Sequence, residues 1–211
     1  SKPDARGIQK VQKLGVPVRI VERKQFEKGF AGLESFGRVI LAYLKEFEAQ
    51  YVSQNGWLPL APANVIEEYE GHILNQHPGP LDPDHLGGDG KPLHFGGKGM
   101  HGLAVPAAVL EFQRLTGRVF PSEATIHRVS PDFDGGAVVA RQEVAILNRD
   151  TPESLTARML SVEHSLQIRF WENVFHDNVT ELHRNKPLIY QSEEQFLQQA
   201  IIYARDAYPN G

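Results

Sequence analysis

An amide and an imidazole stand two residues apart in the stretch ILNQHPGPLDP, at Asn75 and His77. The run HILNQH reads as a strand, and on a strand residues i and i+2 face the same way. Asn75 and His77 therefore project together, with Gln76 opposite. Pro78 and Pro80 end the strand, because proline lacks the ladder donor and fixes φ. The pair is thus held at a stiff strand end. An amide N–H can stabilise an oxyanion, and an imidazole can move a proton near neutral pH. A carboxylate beside the ring would orient it and favour its charged form. Asp132 and Asp134, in the turn SPDFDGG, could supply it, and Gly135 and Gly136 would let that turn come close to a ligand. Each string alone also fits an ordinary turn, and spacing does not join the two segments.

Glu163 is a second informative residue. It lies beside an apolar helix face, one turn from Met159 and near Leu166. Carboxylates seldom sit in such places without a partner. A helix-flank salt bridge and a substrate contact both fit. Histidines 72, 77, 85, 94 and 101 cluster in sequence, but their spacings match no metal motif, so no metal is expected. The GGKG string at 96–99 lacks the G-x-x-x-x-G-K-[ST] spacing of a phosphate loop, so residues 78–102 read as an insertion or a mobile lid.

The elements that must position these groups follow from hydrophobic period and breakers. Apolar positions at helical spacing predict helices over 5–14, 34–49, 63–69, 103–117 and 192–207. Another opens at Thr151-Pro152, with threonine as N-cap and proline at the first helical position. Strands are expected at VPVRIV (16–21), in YVSQNGWLPL, at HILNQH, at ATIHRV and in GAVVARQEVAI. Helices alternating with strands through the first half predict an α/β fold with a mostly parallel sheet. Ligands of such sheets bind beyond the carboxyl ends of the strands, where Asn75 and His77 stand.

The chain has 211 residues, 41% hydrophobic and 23% charged, with net charge −4. That balance gives no electrostatic footprint for nucleic acid. No apolar run approaches the ~20 residues of a membrane span. There is no cysteine, which removes disulfides, thiolate nucleophiles and zinc–thiolate sites and fits a reducing cytoplasm.

Four segments in order, SKPDARGIQKVQKLGVPV, GWLPLAPANVIEEYEGHILNQHPGPL, TIHRVSPDFDGGAVVARQEVAI and DTPESLTARMLSVEH, resemble the folate-dependent formyltransferase family over residues 1 to about 175. The resemblance implies a three-layer α/β/α domain over residues 1–211, with 176–211 a C-terminal extension. It implies formyl transfer from 10-formyltetrahydrofolate, as co-substrate, to the amine of glycinamide ribonucleotide. The alternatives are another amine, such as an amino sugar on a nucleotide, and a non-catalytic formyltransferase-like binding domain. Asn75, His77 and Asp134 match the family's catalytic residues, with Asn75 and a protonated His77 on the oxyanion and Asp134 supporting the imidazolium. The pterin contacts correspond to Trp57, Leu58 and Leu60, and to Ser130, Pro131 and Phe133. Where the enzyme commonly has an arginine, this chain has Pro59. Glu163 matches the glutamate of the E-H pair that holds the acceptor. The implied partners are small molecules, with no membrane, nucleic acid or metal and no particular oligomeric state.

The chain departs from the family at two places. It opens at what looks like the end of the second strand, so the usual first strand and Gly-rich phosphate loop are expected to be absent from it. This leaves open a fragment, a part supplied from elsewhere, or a different closure of the sheet. The loop after His77 is also longer and richer in glycine than the usual segment.

Overall fold

The computed structural model describes residues 5–57 and 59–211. The chain divides into two compact units, one comprising residues 1–52 and 59–72, the other 53–58 and 73–211.

In the first unit, helix α1 (Arg6–Lys13) ends at Leu14, and Gly15 follows with φ of 71°. This is the left-handed position at which helices commonly stop on glycine. Residues 16–21 form no strand, contrary to the β-branched signal of VPVRIV. Val16 and Ile20 are exposed, so the run buries no alternating face of the kind that pins a strand. Helix α2 (Phe30–Glu46) buries Phe36 and Gly37 and packs on α3 (Ala63–Glu68). Gly37 is required there, because a β-carbon would overlap Pro62 and Asn64. Asn64 donates its amide to the Glu34 carbonyl at 3.1 Å.

The second unit carries a four-stranded sheet in the order β1-β2-β3-β4: β1 (Val52–Gln54), β2 (Ile73–His77), β3 (Ser122–Arg128) and β4 (Val138–Val144). The α/β class holds, but the strand directions differ from the mostly parallel expectation. β2 pairs antiparallel with β3, and β3 antiparallel with β4. The register explains the first pairing. His77, the last residue of β2, faces Thr125 near the start of β3. The chain leaves β2 through residues 78–103, returns along helix α4 (Ala104–Thr116), and re-enters the sheet at the end it left. The Gly/Pro-rich loop and the helix together form an excursion out and back, so no crossover to a parallel neighbour results.

Helix α4 is sequestered because its sequence AVPAAVLEFQRLT carries small and apolar residues on most sides, and Gly117 stops it at φ of 68°. Its core partners are Phe95, Leu93 and the buried face of α6 (Glu194–Ala207). Helix α5 (Pro152–Phe175) begins on a capping box between Thr151 and Ser154 and packs against β3 and β4. Beyond it, the Leu182 N–H donates to the Val138 carbonyl at 2.7 Å, so the C-terminal segment runs along the β4 edge. An edge strand left bare offers unpaired backbone groups. Among the described residues, no helix is long and apolar enough to cross a membrane.

Candidate active site

Asn75 and His77 share one face of β2, and Asp134 reaches that face from the turn between β3 and β4. The cross-strand register sets the meeting. Asn75 stands opposite His127, and the β3/β4 ladder shifts register between Ile126 and His127. Such a bulge bends a strand and re-aims its side chains. The turn that follows is tight. A β-carbon on Gly136 would collide with the Arg128 carbonyl, so the glycine lets the turn fold back on its own strand. The close approach expected of Gly136 is therefore made to the backbone. Asp134 itself takes φ of 54°, a left-handed conformation in which aspartate is among the better tolerated residues.

The groups form a connected cluster. His77 Nε2 lies 3.0 Å from the Phe95 carbonyl. A carbonyl only accepts, so Nε2 carries the hydrogen and Nδ1 is left facing Asp134 Oδ2 at 3.7 Å. The other carboxylate oxygen, Oδ1, lies 3.3 Å from His127 Nε2. His127 Nδ1 donates to the Arg128 carbonyl at 2.8 Å, which fixes the ring. Its Nε2 also meets the Asn75 amide nitrogen at 3.1 Å. A neutral His127 accepts from Asn75; a protonated one donates to Asp134. Asp134 Oδ2 further accepts the Gly97 N–H at 2.9 Å.

Burial is uneven and decides the electrostatics. His77 and His127 are 3% and 2% exposed, whereas Asn75 is half-buried. For His77, desolvation is the largest influence and pushes its pKa down, against the upward pull of Asp134. The ring is therefore biased toward the neutral form at rest, and the expected imidazolium needs a further negative charge nearby. For Asp134, burial alone would raise the pKa. His77, His127 and the Gly97 N–H outweigh it and hold the carboxyl well below the usual range. His94, also buried, is driven down to about 3, by desolvation first and then by His77.

The structure thus brings Asn75, His77 and Asp134 into one cluster, linked through His127. His127 does not stand out in the sequence, and His94 does so only as one of five clustered histidines. His127 has no motif beyond its place in β3, and only the register reveals its cross-strand partner. Ser130, Pro131 and Phe133 lie in the turn after β3, with Pro131 and Phe133 exposed and the Ser130 hydroxyl bonded to the Asp132 carbonyl at 3.0 Å. Trp57 is half-buried in the second unit, and Leu60 is half-buried in the first. Leu58 lies outside the described residues, as do residues 1–4 of the first resembling segment. Glu163 is buried on α5, on the face it shares with Met159 and Leu166. It forms no ion pair among the described residues. Among the described residues no three His, Asp or Glu side chains converge as a metal site.

This cluster of amide, imidazole and carboxylate stands on the sheet of an α/β chain. The formyl transferase family model matches residues 1–170, and the chain belongs to that family. It is similar to the chloroplastic phosphoribosylglycinamide formyltransferase of Vigna unguiculata, 32% identical over 195 residues, covering 92% of this chain and 55% of that protein. The protein of the same name from Arabidopsis thaliana is 31% identical over 170 residues, covering 80% of this chain and 51% of that one. The chain spans about half the length of these relatives. Among solved structures, phosphoribosylglycinamide formyltransferase from Bacillus halodurans superposes with a TM-score of 0.65 at 26% identity, covering 83% of this chain and 77% of that one. The Streptococcus pneumoniae enzyme gives 0.64 at 25% identity, covering 82% and 83%.

Proposed function

We propose that this chain carries the active site of a glycinamide ribonucleotide formyltransferase of purine synthesis, with 10-formyltetrahydrofolate as formyl donor. The observation that carries the reading is the chain of contacts Asn75–His127–Asp134–His77 in a chain of the formyl transferase family. The donor set suits a formyl carbonyl. An asparagine amide has two N–H donors; His127 engages one, and the half-buried side chain leaves the other for a substrate oxygen.

The step moves one proton. The acceptor amine adds to the formyl carbon, a C–N bond forms, the C–N bond to the donor breaks, and the amine proton passes to the departing nitrogen. Asn75 donates to the formyl oxygen as that oxygen gains charge. The new negative charge joins Asp134 in offsetting the burial of His77, and His77 takes up a proton on Nδ1, the nitrogen that faces Asp134. Asp134 stabilises the imidazolium and orders the water through which the proton returns. Glu163, buried without a cationic partner among the described residues, binds the acceptor. Trp57, Ser130, Pro131 and Phe133 are the candidate pterin contacts. The reaction partners are small molecules, and a cytoplasmic setting fits the cysteine-free sequence.

The test is turnover of the purified protein with 10-formyltetrahydrofolate and either glycinamide ribonucleotide or a nucleotide-linked amino sugar. Formyl transfer to glycinamide ribonucleotide supports the reading. Transfer to the amino sugar alone replaces the acceptor, and tight binding of both substrates without turnover marks a non-catalytic domain.

A further inference from the structure

The segment His94–Phe95–Gly96–Gly97 wraps the reacting pair. The Phe95 carbonyl accepts from His77, the Gly97 N–H donates to Asp134, and Gly96 is bare because a β-carbon there would stand 2.7 Å from that of Asp134. Every contact except the last is a backbone contact, so each depends on how the segment is held. The Phe95 ring fixes its depth. It is fully buried, edge-on to Phe112 with centroids 5.6 Å apart and stacked on Phe120 at 6.1 Å. The backbone beside it is tied as well, the Phe95 N–H donating to the Pro80 carbonyl at 3.3 Å and the Leu93 N–H to the His85 carbonyl at 3.0 Å.

His94 adds a side-chain tie. Its Nδ1 accepts the Asp82 N–H at 3.2 Å. The Asp82 carboxylate is fully buried and holds two further groups. His85 Nδ1 lies 2.9 Å from Oδ1, and the Leu188 N–H donates to Oδ2 at 2.8 Å. Burial of this kind is tolerated only where the charge is well bonded. Leu188 belongs to the segment after α5. That segment also grips the loop through Arg184 Nε to the Leu81 carbonyl at 3.1 Å and His183 to Asp84 at 3.1 Å, and Glu194, the first residue of α6, accepts the Gly88 N–H at 3.1 Å.

We propose that Asp82 and His94 are positioning residues for the reaction: together they tie the C-terminal segment to the backbone that holds His77 and Asp134. The proposal rests on the formyltransferase reading only for its kinetic consequence. The physical anchor is independent of it. His94 acts through its Nδ1 acceptor and takes no proton in the reaction.

Two variants of His94 separate these roles. His94→Phe keeps a planar ring and loses the acceptor. His94→Asn places an amide oxygen near the former Nδ1. The Gly97 amide is followed by hydrogen exchange in the free protein, and turnover by steady-state kinetics. His94→Phe is expected to speed Gly97 exchange and to lower kcat about tenfold or more, the scale of a small misplacement of catalytic groups, with KM little changed. His94→Asn is expected to restore both. Asp82→Asn, which leaves the His94 bond but weakens the hold on Leu188 and His85, should fall between them and serves as the readout if His94→Phe does not fold. The anchor is overturned if His94→Asn is as impaired as His94→Phe, if Gly97 exchange is indifferent to His94→Phe, or, should His94→Phe not fold, if Asp82→Asn leaves Gly97 exchange unchanged. If exchange responds as expected but the wild-type protein transfers no formyl group, the reaction reading fails and the anchor stands.

Discussion

Asp134 lies closer to His127 than to His77: Oδ1 is 3.3 Å from His127 Nε2, and Oδ2 is 3.7 Å from His77 Nδ1. One carboxylate therefore serves two imidazoles, and the nearer one also carries Asn75. His127 couples the oxyanion donor to the acid that supports the proton carrier. Replacing His127 by phenylalanine should loosen both. We expect kcat to fall by tenfold or more, an effect set by misplacement rather than by loss of a reacting group. Stopped-assay kinetics on the variant checks this, and a rate equal to wild type would remove His127 from the site.

Asn75→Ala removes the amide donor. The expected loss in kcat is about a hundredfold, the size of one missing oxyanion donor. Acceptor KM should change little, because the contact strengthens only as charge develops. A mutation that raised KM and spared kcat would instead place Asn75 in ground-state binding.

Stability should fall as the pH drops below neutral, and histidines should set the slope. His94 titrates at about 3 when folded, against an ordinary 6.5, and burial lowers His77 in the same direction. Between the folded and unfolded values only the unfolded chain takes up the proton, so unfolding is favoured as pH falls below 6.5. Each such histidine contributes a slope of about 1.4 kcal/mol per pH unit within its window. Asp134, held low, keeps its contribution above the ordinary carboxylate range and loses it only in stronger acid. Urea titrations at pH 7 and pH 5 check the sign. His94→Asn should flatten the dependence by one proton's worth.

Gly136→Ala should destabilise the protein by about 2 kcal/mol or more, because the new β-carbon meets the Arg128 carbonyl and the turn must open. The same opening withdraws Asp134, so activity should fall further than stability. Thr151→Ala removes the cap of α5 and should cost about 1 kcal/mol with little kinetic effect. Denaturant midpoints and kcat on the two variants distinguish a turn that builds the site from a cap that only supports it.

The helices were legible because breakers and caps speak locally. Thr151-Pro152 marks the start of α5, and Gly117 marks the end of α4. The pairing of strands was less legible. Alternation of helix with strand suggested parallel neighbours, but only the path of residues 78–103 decides that β3 re-enters beside His77. VPVRIV has the composition of a strand but forms none, with Val16 and Ile20 left exposed. In the site, Asn75 and His77 could be paired by their spacing on one strand, and resemblance supplied Asp134. The contacts of His127 and His94 are not legible in the sequence, for different reasons. His127 depends on cross-strand register, a nonlocal quantity. His94 depends on a loop whose order comes from Asp82, Leu188 and the C-terminal segment, more than ninety residues further along for the latter.

The most direct test compares wild-type protein with Asp134→Asn for formyl transfer from 10-formyltetrahydrofolate to glycinamide ribonucleotide, with folding of both verified by circular dichroism. The account predicts turnover by the wild type and a kcat lower by about a hundredfold or more in the variant, since the imidazolium then loses its counter-charge. A folded variant that turned over at the wild-type rate would contradict it.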